Sequence, residues 1–244
     1  MPQPDQHDAA AKLFPCTLLL LGDHADTAVE EFCRDSSANI RADGISDTQR
    51  LLTHLQAVIA RAPDVPGYAE DVAAYEGAIA ALAATDAAGD EAPRMVERDA
   101  AESARPIEEL GRQVPVVGRH VRVERYRFNA PGIVAAIEEC DRLEGREQPA
   151  DCIVLLVKRP GNPRPDTFLV SEGVQMLLAL CDGQRDCAAI AQRLQEGVTG
   201  ERAGDFERRA FEAIEALRAR TVLTCREPLE LHEASDEQQD AISQ

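Results

Sequence analysis

Residues 168–194, FLVSEGVQMLLALCDGQRDCAAIAQRL, decide how the rest of the chain is read. The stretch opens on the end of a short apolar run, DTFLV at 166–170, which has strand length and strand composition. Ser171 is a good N-cap, and Val174, Leu177, Leu178 and Cys181 then recur at helical spacing. Asp182-Gly183 stops that helix. A shorter helix is expected from about Asp186 to Leu194, with Ile190 and Leu194 inward.

Working outward toward the C-terminus, residues 196–204 read as a polar loop. A helix follows over 205–220, with Phe206, Ala210, Ile214 and Leu217 on one stripe, and TVLTC at 221–225 returns as a strand. Toward the N-terminus, CIVLLVK at 152–158 is an unbroken apolar run. The turn chemistry of RPGNPRP joins it to 166–170 as a hairpin. VRVERYRF at 121–128 alternates as a strand does, and Pro131 opens a short helix carrying Ile133, Val134 and Ile137 inward.

The first 84 residues read as helical. Pro15 begins a short helix through Leu18 to Leu21, ended by Gly22 and Asp23. Further helices are expected over 26–34, from Ser46 onward, and from Tyr68 with Val72, Tyr75, Ile79 and Leu82 inward. Four segments result: a helical block at 1–84, a linker at 85–111 rich in Ala, Asp and Glu, a domain at 112–226, and a disordered acidic tail at 227–244. The fold class expected is α+β, a helical block followed by a winged-helix-like domain with a small antiparallel sheet.

Composition narrows the function. The 244 residues are 44% apolar and 29% charged, a globular balance. The net charge of −18 opposes polyanions such as nucleic acid and anionic membrane surfaces. There is no Trp to build a stacking platform for single strands. The apolar run LFPCTLLLLG is too short to span a bilayer, and no basic leader precedes it, so a cytoplasmic location is expected. The seven cysteines include no CxxC pair, and none of the five histidines has ligand-like spacing. GxSxG, P-loop and HExxH motifs are absent, so catalysis by this chain is not expected.

The 168–194 stretch resembles the PqqD-like family, the recognition elements that bind leader peptides of ribosomally made natural products. Val170-Ser171, Leu180-Cys181-Asp182-Gly183 and Cys187-Ala188-Ala189-Ile190 stand where that family ends its strand, ends its first helix and begins its second. Two positions depart from the pattern: Gly173 replaces a helix-favouring residue, and Thr221 stands where a C-cap glycine is usual. The segments LFPCTLLLLGDHADTAVEEF, PDVPGYAEDVAAYEGAIAAL and RHVRVERYRFNAPGIVAAIEE are similar to partner proteins of multinuclear non-heme iron oxidases from thiaglutamate and methanobactin pathways.

The resemblance implies a non-catalytic subunit, paired as a heterodimer with such an oxidase, which presents a precursor peptide to it. No cofactor is expected in this chain; the iron belongs to the partner oxidase. The peptide is expected to add to the edge of the strand at 166–170, beside the helix at 205–220. The candidate peptide-binding residues are therefore Asp166, Thr167, Phe168, Leu169 and Val170, with Glu207, Phe211, Ile214 and Arg218. Phe211 lies off the core stripe of its helix, where it either anchors the peptide or packs under the strand at 221–225. Arg112, Arg119, Arg122, Arg125 and Arg127 form a basic cluster that either docks an acidic partner or is a solvated strand face. The competing reading is a winged-helix DNA-binding regulator, which the near balance of acidic and basic residues in DFERRAFEAIEALRAR opposes.

Overall fold

The computed structural model describes residues 4–35, 45–85, 107–196 and 203–226. The fold is α+β with small antiparallel sheets. In chain order come α1 (Pro4–Leu13), α2 (Pro15–Leu21), α3 (His24–Asp35), α4 (Ile45–Ile59), α5 (Ala69–Ala83), α6 (Ile107–Gly111), β1 (Val114–Val117) and β2 (Val121–Tyr126). They are followed by α7 (Ala130–Glu138), β3 (Cys152–Val157), β4 (Asp166–Val170), α8 (Glu172–Leu180), α9 (Cys187–Gln195), α10 (Ala203–Ala219) and β5 (Leu223–Arg226). The tail read at 227–244 and most of the linker read at 85–111 lie outside the described residues; the described end of the linker is α6.

Two compact units divide the chain. The first takes residues up to Val96 together with Gly118–Gln175, so the three-stranded sheet joins the helical block. The second takes Glu97–Val117 and everything from Met176 onward.

In the first unit β3 is the central strand of an antiparallel sheet ordered β2-β3-β4. Its residues from Ile153 to Val157 are all buried, which explains why its sequence shows no alternation. Val154 and Leu156 join Val72, Tyr75 and Ala78 of α5 and Ile133 and Val134 of α7 in one apolar cluster. A second cluster gathers Phe14, Leu18, Leu21, Val29, Phe32, Leu51 and Leu55 from α1 to α4. Helix α5 serves both clusters and is buried around most of its circumference. Gly77 permits this, because a Cβ there would stand 2.7 Å from Leu52 Cδ2 of α4.

Polar contacts fix α5 as firmly as apolar ones. Helix α2 starts on Pro15, and its N-cap, Phe14, offers no side-chain acceptor. Pro15 has no N–H, so the orphan donors of the first turn are those of Cys16 and Thr17. The Glu76 carboxylate of α5 accepts both, at 2.8 and 2.9 Å, and the Thr17 hydroxyl at 2.6 Å. On the same helix Asp71 accepts the Phe128 amide at 2.7 Å at the entry to α7. Burial pushes the Glu76 carboxyl above the usual carboxylate range, although the hydrogen bonds from Thr17 and Cys16 pull it back. Next to it, burial and then the Glu76 charge push the Cys16 thiol up to about 12, so this cysteine is an inert core residue.

In the second unit β1 pairs antiparallel with β5, Pro115 standing opposite Cys225. Helices α6, α9 and α10 pack beside this ribbon, with Leu110, Ile190, Phe211 and Ile214 buried. Asp186 caps α9 by accepting the Ala189 amide at 2.7 Å. The helix α10 ends without the usual glycine. Thr221 takes φ +60 in its place, its amide donating to Arg218 O and that of Val222 to Leu217 O, both at 2.9 Å. That pair of bonds is a Schellman motif, and Leu217 and Val222, the residues it joins, are both buried. A β-branched residue in this conformation is strained.

Two stability tests follow. Glu76→Ala strands two buried amides, and we expect a loss of about 2 kcal/mol or more in chemical denaturation. The folded Glu76 carboxyl titrates above the unfolded one, so the stability it contributes is largest at low pH. That contribution falls as pH rises from the usual carboxylate range through the higher folded pKa. The pH profile of Glu76→Ala should therefore lack this fall. Thr221→Gly relieves the backbone strain and should stabilise the protein by about 1 kcal/mol; a loss of stability would show that the threonine is not strained.

Candidate peptide-binding edge

The register of the sheet determines which backbone groups of β4 are free. Lys158 N donates to His120 O at 2.8 Å, one pair beyond Val157 opposite Val121. Even-numbered residues of β3 therefore bond toward β2 and odd-numbered ones toward β4. Val157, Leu155 and Ile153 stand opposite Asp166, Phe168 and Val170. Those three residues of β4 bond inward, and the N–H and C=O groups of Thr167 and Leu169 point to the outer edge. Among the described residues β4 pairs only with β3.

The same register sorts the side chains. Thr167 and Leu169 stand opposite Leu156 and Val154, on the face that meets α5. Tyr75 OH lies 3.0 Å from Thr167 Oγ1 and pins the strand to that helix. Tyr75 in turn packs edge-on against Tyr126 at 6.0 Å. Leu169 escapes burial and is 59% exposed. Phe168, Val170 and Asp166 are half-buried, and Asp166 is ion-paired with Arg159 across the hairpin. Near the loop end of the strand, Arg164 meets Glu138 of α7 at 2.7 Å.

The helix residues expected to complete the site belong to the second unit. Glu207 is exposed and lines a cleft of about 430 Å³ with Asp186, Ala188, Ala191 and Gln192. Arg218 is half-buried and paired with Glu215 at 3.1 Å. Phe211 and Ile214 are not presented to solvent, being 3% and 0% exposed. What hides Phe211 is α6: its ring comes within 3.8 Å of the position a Cβ on Gly111 would occupy. In sequence that segment reads as linker, and the cover expected for a packed Phe211 is the strand at 221–225 alone. The Tyr75–Thr167 bond was also invisible in sequence, because 92 residues separate its partners.

The basic cluster is divided by the fold. Arg122 pairs with Glu124 at 2.6 Å, while Arg125 reaches Glu172 at 3.0 Å on the opposite face of the sheet. Arg127 stacks over Phe128. Among the described residues no three His, Cys, Asp or Glu side chains are grouped to hold a metal ion, and no helix is long and apolar enough to cross a membrane. Compared with known proteins, the chain matches no family model and no curated sequence.

Proposed function

We propose that this chain is the non-catalytic, cytoplasmic partner of a multinuclear non-heme iron oxidase. It captures the leader of a ribosomally made precursor peptide as an added strand on β4 and presents the peptide to the oxidase as a heterodimer. The observation that carries the reading is the open edge of β4, where Thr167 and Leu169 turn their peptide groups outward beside an exposed leucine. An extended peptide gains main-chain hydrogen bonds at these two residues, and Leu169 offers an apolar contact. The order β3, β4, α8, α9, α10, a hairpin followed by three helices, is that of a winged-helix recognition element, with α7 inserted between β2 and this hairpin, and it supports the finer assignment. Against the DNA-reading alternative, α10 spends Arg208 on Glu212 and Arg218 on Glu215.

The oxidation itself belongs to the iron of the partner enzyme. This chain contributes position. A strand added to β4 is held along its backbone and therefore in a fixed register, which sets the distance from leader to modified residue.

The edge is tested by Leu169→Pro. This change deletes an outward N–H and spares the ladder to β3, where residues 166, 168 and 170 bond. Affinity for the co-purifying precursor peptide, measured by fluorescence anisotropy, should fall about tenfold or more, with the far-UV circular dichroism unchanged. Undiminished affinity would remove β4 as the docking edge. Partnership is tested by affinity capture with iron analysis. Deleting residues 1–84 would strip α5 from the sheet, so the informative variant is Leu19→Asp, at a position 67% exposed on α2. If the helical block forms the interface, the folded variant should lose its iron-containing partner. Retention would move the interface off this face.

A further inference from the structure

The sheet of the first unit has a second open edge. Even-numbered residues of β3 bond toward β2, so Arg122, Glu124 and Tyr126 bond inward, while Val121, Val123 and Arg125 turn their peptide groups outward. The Val121 amide is taken up by Gly118 O at 3.0 Å. Val121 therefore offers its carbonyl, and Val123 and Arg125 offer both groups. Among the described residues β2 pairs only with β3. The strand is six residues long and holds no proline, so no residue within it lacks an amide.

The charges along this edge are complementary to themselves. Arg122 and Glu124 stand on the face that meets α5, opposite Leu156 and Val154, and pair with each other at 2.6 Å. Both side chains stay partly exposed, at 42% and 32%. A second β2 strand could join only with its own odd-numbered residues facing these. Of the central antiparallel registers, the one centred on Arg122 sets the two Arg122 side chains against each other. The one centred on Glu124 opposes the two glutamates. Centred on Val123, the pairing sets each Arg122 against Glu124 of the other copy. Like charges directly opposite are destabilising and opposite charges attract, so the pattern selects this last register.

We propose that two copies of this chain associate through β2, antiparallel about Val123, into one six-stranded sheet ordered β4-β3-β2-β2-β3-β4. The two Val123 residues exchange a pair of main-chain bonds, and each Arg125 amide donates to the Val121 carbonyl of the other copy. Arg122 and Glu124 of both copies close a ring of alternating charge on one face of the join. On the other face the half-buried Val123 side chains meet at the two-fold axis. The interface is isologous, so it closes at two copies. Both β4 edges stay at the outer rims, and the dimer neither needs nor blocks peptide capture there. Partnership with an oxidase then takes two copies of each subunit.

The test is analytical ultracentrifugation of the full chain in reducing buffer, which keeps the exposed Cys140 from linking copies. We expect a species of twice 26.5 kDa. Val123→Pro deletes the central outward amide and spares the ladder to β3, so the dissociation constant of the dimer should rise about tenfold or more. Charge reversal tests the register. Arg122→Glu and Glu124→Arg each set like charges opposite one another and should give folded monomers, with the far-UV circular dichroism unchanged. The double reversal restores opposite charges in the same register and should return the dimer. A wild-type chain that sediments at 26.5 kDa at every concentration would overturn the proposal. So would a dimer that survives Val123→Pro undiminished, or a folded double reversal that stays monomeric.

Discussion

The carboxylate of Glu76 is the contact on which the first unit depends. A helix that begins on proline and lacks an N-cap acceptor leaves donors that water cannot reach, and Glu76 meets them from the neighbouring helix. The price is a buried acid, which the three donated bonds offset in part. With α2 held by Glu76, α5 presents the adjacent Tyr75 to β4 and, about one turn earlier, Asp71 to the entry of α7. The sheet is thus positioned by a helix whose other contacts lie in the helical bundle. The free edge of β4 therefore stands on a helix shared by both apolar clusters of its unit, and rigid backing is what an added strand requires.

Much of this was legible in sequence wherever the signal was local. The hairpin of β3 and β4 follows from an apolar run, a Pro- and Gly-rich turn and a second run. Asp186, Pro15 and Pro131 each mark a helix start that the structure contains. What escaped depended on distant partners. β1 is four residues long with a proline at its second position, and it becomes a strand because β5 pairs with it from more than a hundred residues away. α6 is a single turn with no periodicity to reveal it. The choice left open for Phe211, peptide anchor or packed ring, is settled as burial, and α6 is a neighbour of that ring which the sequence does not reveal. Thr221 erred in the other direction. The sequence suggested a weak cap, and the structure closes it by forcing a threonine into a glycine's conformation.

The open edge of β4 also invites pairing with the wrong chain, and the sequence limits that invitation. The strand is five residues long and begins on an ion-paired Asp166, with Arg164 just outside it. A short edge bounded by charge is the usual protection against indiscriminate pairing. Only two residues face outward, so binding through main chain alone is weak. Affinity and selectivity for any strand added there must come from side chains flanking it.

The pairing of β1 with β5 has a consequence for the order in which the molecule matures. Every residue of the first unit has been made once Gln175 is in place, whereas the second unit waits until Leu223–Arg226 can meet Val114–Val117. In a chain made from its N-terminus, the sheet can therefore close around α5 while β1 is still without its partner. That late, long-range closure is the slow step that topology predicts. The interval exposes a nascent strand, Val114–Val117, whose Pro115 lacks the amide that a mispaired neighbour would seek.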